Sequence, residues 1–122
     1  DLYGPWVGRA VVVPAESRSD RQGVRAAVNL LRTGREALVV VHLGSLDWAA
    51  HEHGIESPAY ARAVAEADGA IGELRAAAAA AGAAVVVVSD HGVTRSGGHA
   101  GGEAEVLAVP VATDWPGVTP PG

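Results

Sequence analysis

The chain has 122 residues, 48% apolar and 19% charged, with a net charge of -5. This is a globular composition with length for one domain. It contains no cysteine, which excludes disulfides, thiolate metal sites and cysteine nucleophiles, and its nine basic residues are arginines scattered singly, which excludes a nucleic-acid groove.

In chain order, Ala10-Val11-Val12-Val13 predicts a short strand closed by Pro14. Ser19 and Gln22 have capping-box spacing and predict a helix running to about Thr33. Val24, Val28 and Leu31 recur along it at helical spacing, and Gly34 supplies its stop. Residues 37–43, Ala-Leu-Val-Val-Val-His-Leu, are almost uninterruptedly apolar and predict a strand covered on both faces. Ser57 and Pro58 read as cap and first turn of a second helix, with Tyr60, Val64, Ala67, Ile71 and Leu74 on one face and Gly82 at its end. The alanine run 76–81 belongs to that helix, and residues 85–88 predict a second buried strand.

Strand, helix, strand with both strands apolar throughout is the pattern of a parallel α/β crossover. Ligands of such sheets bind beyond the carboxyl ends of the strands, so residues 44–54 and 89–103 are where chemistry is expected. The longest low-polarity run, residues 76–88, is broken by Gly82 and falls short of the roughly 18 apolar residues of a membrane span. The chain has no methionine and ends in Thr119-Pro120-Pro121-Gly122, so it reads as a piece of a longer protein. Membrane association would come through parts outside it, and nothing in the sequence specifies an oligomeric state.

Four of the five histidines fall in the two expected loops, beside Asp47 and Asp90. Imidazole and carboxylate are the ligands left for a divalent ion when thiolate is absent. Asp47 and His51 are four residues apart, so one helical turn puts both on one face, while His53 points elsewhere. Taken alone this pair reads as a capping aspartate and a surface histidine. Asp90-His91-Gly92 follows directly on the second valine strand, where an ionised carboxylate is costly unless paired, hydrogen-bonded or metal-bound. His99 is flanked by glycine pairs, either a flexible linker or a tight path that carries the imidazole to a site. His42 reads as a histidine hydrogen-bonded in the core or behind a ligand rather than as a ligand itself, Trp48 as a pocket wall or an aromatic packed on the sheet edge, and Glu103 and Glu105 as solvated or as secondary contacts.

The segments combine into a recognisable order: Leu43-Gly44-Ser45-Leu46-Asp47 with His51 and Gly54, then Tyr60 and Asp68, then Val88-Ser89-Asp90-His91-Gly92, then Gly98-His99-Ala100-Gly101. This resembles the metal-binding half of the alkaline phosphatase superfamily over about residues 20–112, most of all the type I phosphodiesterases and glycosylphosphatidylinositol phosphoethanolamine transferases. Ala50 and Ala100 stand where that family often has glycine.

The resemblance implies an α/β fold, alkaline-phosphatase-like, with a mostly parallel sheet flanked by helices, of which residues 1–122 form a single partial domain, the C-terminal half. It implies two divalent metal ions, zinc the first choice and manganese the second. Asp47, His51 and His99 would hold one, and Asp90 with His91 the other. The threonine or serine nucleophile and a further aspartate would come from upstream; Thr94 and Ser96 fall too late in the order to supply it. The implied activity is hydrolysis or transfer of a phosphodiester or phosphoethanolamine-type phosphoester in an extracytoplasmic or membrane-associated setting, with this piece inactive alone. The alternatives are a phosphosugar mutase of the same superfamily and a non-catalytic metal-binding module.

Overall fold

A computed structural model describes residues 19–117. The expected strand at residues 10–13 lies outside the described residues. Helix α1 spans Arg21–Thr33, α2 Ser45–His53, α3 Pro58–Ala80 and α4 Ala104–Leu107, and the strands are β1, Val86–Val88, and β2, Val111–Thr113.

Helix α1 buries Val24, Ala27 and Val28, an i, i+3, i+4 stripe, and stops at Gly34, whose φ is 60°. Its start differs from the expected capping box. Asp20 holds the N-cap position without capping the helix by its side chain, and Ser19 Oγ accepts a bond from Arg21 N–H at 3.4 Å. Helix α3 begins as expected: Ser57 Oγ accepts the Tyr60 N–H at 3.1 Å, and Pro58 occupies the first turn. It closes with the Ala83 N–H on Ala78 O and the Gly82 N–H on Ala79 O, the paired bonds of a Schellman turn.

Helices α1 and α2 both pack on α3. The buried stripe of α3 is Ala63, Ala67 and Ala78, whereas Val64, expected on that stripe, is 43% exposed. Alanine wins because its single methyl lets two helix backbones approach closely. Among the described residues no side chain larger than valine is buried, so each buried alanine contributes only ~0.8 kcal/mol of apolar transfer. The scaffold is held by many small contributions rather than by a few large anchors.

The sheet departs from expectation. Strand β1 pairs antiparallel with β2, Val87 opposite Ala112, and these are the only strands among the described residues. Residues 37–43 form no ladder, and Leu38 and Val40 are 79% and 81% exposed. A β-branched run becomes a strand only when a neighbouring backbone satisfies its N–H and C=O groups, and none of the described segments does so for 37–43. His42 is correspondingly exposed and not a core histidine. Strand β1 is not buried on both faces either: its pattern is exposed, half-buried, exposed, because a two-stranded ribbon has just one covered side. The fold is therefore α/β in content, with a small antiparallel ribbon and four helices among the described residues.

Asp114 anchors the ribbon to α3. Its carboxylate accepts the Val85 N–H at 2.7 Å and the Arg75 Nε–H at 3.0 Å. The Thr113 hydroxyl donates to Val85 O at 2.8 Å. The Val85 bond, then Arg75, holds the Asp114 carboxyl below the usual carboxylate range.

Candidate metal centre

Helix α2 carries Asp47 and His51 one turn apart, and the backbone after β1 returns to it at Gly97 and His99. His51 Nε2 and His99 Nε2 each lie 3.5 Å from Asp47 Oδ1. One ligand atom from each of these three residues fits within 4.8 Å of the others. Asp47 Oδ1 is buried and has no hydrogen-bond partner. A buried carboxylate oxygen without a donor is costly, and two imidazole nitrogens aimed at it form the donor set a divalent ion takes.

Two glycines bring the second loop to α2 and hold its base. Gly97, at φ 91°, is buried where a Cβ would overlap the Ala50 carbonyl, so only a residue without a side chain lets the loop lie this close. Ala50 is itself 0% exposed, so this contact lies in the interior of the fold. The turn is braced by the Gly97 N–H on Thr94 O at 2.9 Å and the Gly98 N–H on Thr94 Oγ1 at 3.1 Å. The glycine-rich segment is thus a tight path and not a linker. Gly92 similarly sits against the carbonyl of Glu105, with its N–H on Val106 O at 2.8 Å. This docks α4 onto the Asp90-His91-Gly92 turn. Helix α4 and the packing role of the Glu103–Leu107 backbone escaped the sequence reading, in which Glu103 and Glu105 are solvated or secondary contacts.

The His91 ring stacks on His99 with centroids 3.9 Å apart, and the His51 ring meets His99 edge-on at 4.9 Å. His91 Nδ1 is 3.0 Å from Gly92 O. If Nδ1 carries the proton and donates to that carbonyl, Nε2 keeps its lone pair. That nitrogen lies 3.8 Å from Asp90 Oδ2. The Asp90 side chain is 80% exposed and reaches the cluster only through His91. The structure therefore brings Asp47, His51 and His99 into one group, sets His91 against it and leaves Asp90 at its edge. His53 is directed elsewhere: its ring meets Trp48 edge-on at 5.6 Å, and the two residues line a shallow cleft between α2 and α3 with Arg62 and Glu66.

Sequence reading missed Asp20. Its carboxylate accepts the Gly44 N–H at 2.9 Å, the Ser45 N–H at 3.3 Å and the Ser45 hydroxyl at 2.5 Å, across 24 and 25 residues of chain. Only the placement of an aspartate at the start of α1 hinted at a role, and that hint was local to α1.

A helix-borne carboxylate and two imidazoles around one buried oxygen define a candidate metal centre on an α/β scaffold. The type I phosphodiesterase / nucleotide pyrophosphatase family model matches residues 6–102, so the chain belongs to that family, within the alkaline phosphatase superfamily. No curated protein and no solved structure matches the chain significantly. The family is one of metal-dependent phosphoester hydrolysis, in line with the candidate ligand group on α2 and the second loop.

Proposed function

We propose that this chain supplies most of the ligands of a two-metal phosphodiesterase centre, as the C-terminal half of an alkaline-phosphatase-like catalytic domain. One observation carries the reading: the buried, partnerless Asp47 Oδ1 with His51 Nε2 and His99 Nε2 each 3.5 Å away. Asp47, His51 and His99 would hold one ion, and Asp90 and His91 would contribute to the second. Zinc and manganese both suit such nitrogen and oxygen donors.

The chemistry a metal pair supplies when bound is neutralisation of charge on the phosphoryl group and activation of the nucleophile. This chain's residues prepare for it. Helix α2 presents Asp47 and His51 in fixed register, and the Gly97 contact sets His99 against them. The Gly92 carbonyl orients His91. Side-chain exposures of 46% for Asp47, 47% for His51 and 33% for His99 leave the group open to a phosphoester. That openness, with three protein ligands, favours a catalytic over a structural site, since structural sites are usually closed by four.

The threonine or serine nucleophile and the remaining aspartate belong, in this proposal, to residues outside these 122. A parallel sheet completed by those residues would cover Leu38, Val40, Val86 and Val88, now 79%, 81%, 53% and 62% exposed. Phosphodiesters are the favoured substrates, and transfer of a phosphoethanolamine group is the related activity. The test is metal analysis of the full-length protein together with turnover of a phosphomonoester and a phosphodiester. Two divalent ions per molecule and chelator-sensitive diester cleavage are expected. Turnover that survives complete metal removal would overturn the reading.

A further inference from the structure

Helix α2 carries two of the three clustered ligands, yet it is only nine residues long and its N-cap residue is Gly44, which has no side chain to cap it. A helix of that length does not hold itself in place in water. Its first turn leaves backbone N–H groups without intrahelical acceptors. Those of Gly44 and Ser45 point to a carboxylate from another element: Asp20 at the head of α1 takes both with its two oxygens and adds the Ser45 hydroxyl. A negative charge there also complements the positive end of the helix.

The contact fixes α2 in translation and rotation at the end nearest Asp47, two residues beyond Ser45. The opposite end is tied through the Gly54 N–H on Ala50 O at 2.8 Å and, beyond it, the Ser57 hydroxyl on Gly54 O at 2.8 Å. The apolar packing of α2 on α3 resists separation more than sliding, so the directional bonds to Asp20 add a hold of a different kind at this end. A slide of a fraction of a turn would move Asp47 Oδ1 out of line with His99, which comes from a different loop.

We propose that Asp20 is a positioning residue for the candidate metal centre, holding α2 in the register that lets Asp47 and His51 meet His99. The inference rests on the metal reading of that group. Asp20 would touch neither metal nor substrate; its effect passes through Gly44 and Ser45.

The experiment compares wild type, Asp20→Ala, Asp20→Asn and Ser45→Ala in the full-length protein. Mn2+ affinity is measured by calorimetric titration, amide exchange over residues 44–51 in the metal-free protein, and turnover at limiting and saturating Mn2+. Asp20→Ala should weaken Mn2+ binding about tenfold, at the lower end of the 10–100-fold typical of groups that orient metal ligands. It should also speed exchange over residues 44–51 and lose activity at limiting but much less at saturating Mn2+. Asp20→Asn, which retains one acceptor oxygen, should recover part of the affinity. Ser45→Ala, which removes one of the three bonds, should show a smaller loss of the same kind and guards against a misfolded Asp20→Ala. Faster exchange with unchanged Mn2+ affinity in both Asp20→Ala and Ser45→Ala would overturn the positioning role, as would affinity and exchange both unmoved. A wild type whose Mn2+ binding is indifferent to Asp47→Asn overturns the metal reading instead. Asp20 is then decided by exchange alone, local acceleration upholding its hold on α2 and no change overturning it.

Discussion

His99 Nε2 stands 3.5 Å from Asp47 Oδ1, the same distance that His51 Nε2 keeps from that oxygen, although His51 is one helical turn away in sequence and His99 comes from beyond β1. An imidazole local in sequence and one distant in sequence thus stand at equal distance from one carboxylate oxygen. Replacing either His51 or His99 by alanine should weaken divalent-metal binding by more than about 100-fold, beyond what loss of an outer partner costs. His53→Ala should bind metal nearly as wild type does, since that ring packs on Trp48. Calorimetric titration of the three variants is the check, and a His53→Ala loss equal to the other two would overturn the assignment.

In the proposed reading, Asp47 is placed for a ligand at the expense of the metal-free fold. A buried acceptor without a donor costs about 1–3 kcal/mol, and here half of the side chain remains in water, so the lower end applies. Asp47→Ala should therefore leave the metal-free protein within ~1 kcal/mol of wild type or more stable than it. It should abolish the stabilisation that metal gives wild type, about 2.7 kcal/mol at 100-fold excess over Kd. Paired denaturant melts with and without Zn2+ measure both effects. A strongly destabilised metal-free variant would show that Asp47 serves the fold.

Helix α1 and helix α3 were legible because their signals are local: the Val24–Val28 spacing, Ser57-Pro58 at a start, Gly34 and Gly82 at the ends. The Asp47–His51 pair was legible for the same reason, since a helical turn converts spacing into proximity. His99 was reached only through resemblance, because its approach depends on Gly97 meeting Ala50, a contact between residues far apart in the chain. A strand does form within residues 85–88, but its burial and partner, and the strand expected at 37–43, were misjudged for a related reason. Valine runs report apolar surface, not which backbone will pair with it, so residues 85–88 found β2 rather than residues 37–43. Asp20 was illegible because its acceptor oxygens serve donors 24 and 25 residues away.

Gly97 should tolerate no side chain. Its φ of 91° disfavours any other residue, and the atom a Cβ would overlap is backbone, the Ala50 carbonyl at the middle of α2. Gly97→Ala is expected to cost on the order of 1–3 kcal/mol and to weaken metal binding by drawing His99 away from Asp47. Gly98→Ala is the control: its added methyl would meet Thr94 Oγ1 at 3.6 Å, an ordinary contact. Thermal melts and metal titrations of the two variants test the difference, and a Gly97→Ala protein that keeps full affinity would show that the loop can re-seat.

Asp114 gives the fold a pH dependence separate from the metal ligands. Its carboxyl is held below the ordinary range, first by the Val85 N–H and then by Arg75, so folding favours the ionised form. A group whose folded pKa is depressed contributes stability that is present in full above its unfolded pKa and is lost as pH falls through the folded one. With an unfolded carboxylate near 3.9, the contribution should be constant from neutrality down to about pH 5 and shrink below about pH 4. Asp114→Asn removes the charge and lets just one side-chain oxygen accept, so the variant should melt lower than wild type at pH 7. The gap should narrow on acidification, as wild type loses what the variant never had. Arg75→Ala should show a smaller effect of the same sign, because its guanidinium is largely exposed while the Val85 bond remains. Melting temperatures of the three proteins between pH 3 and pH 7 are the measurement. A gap that stays constant or widens toward pH 3 would mean that the Asp114 carboxylate is not what ties Val85 and Arg75 to the ribbon.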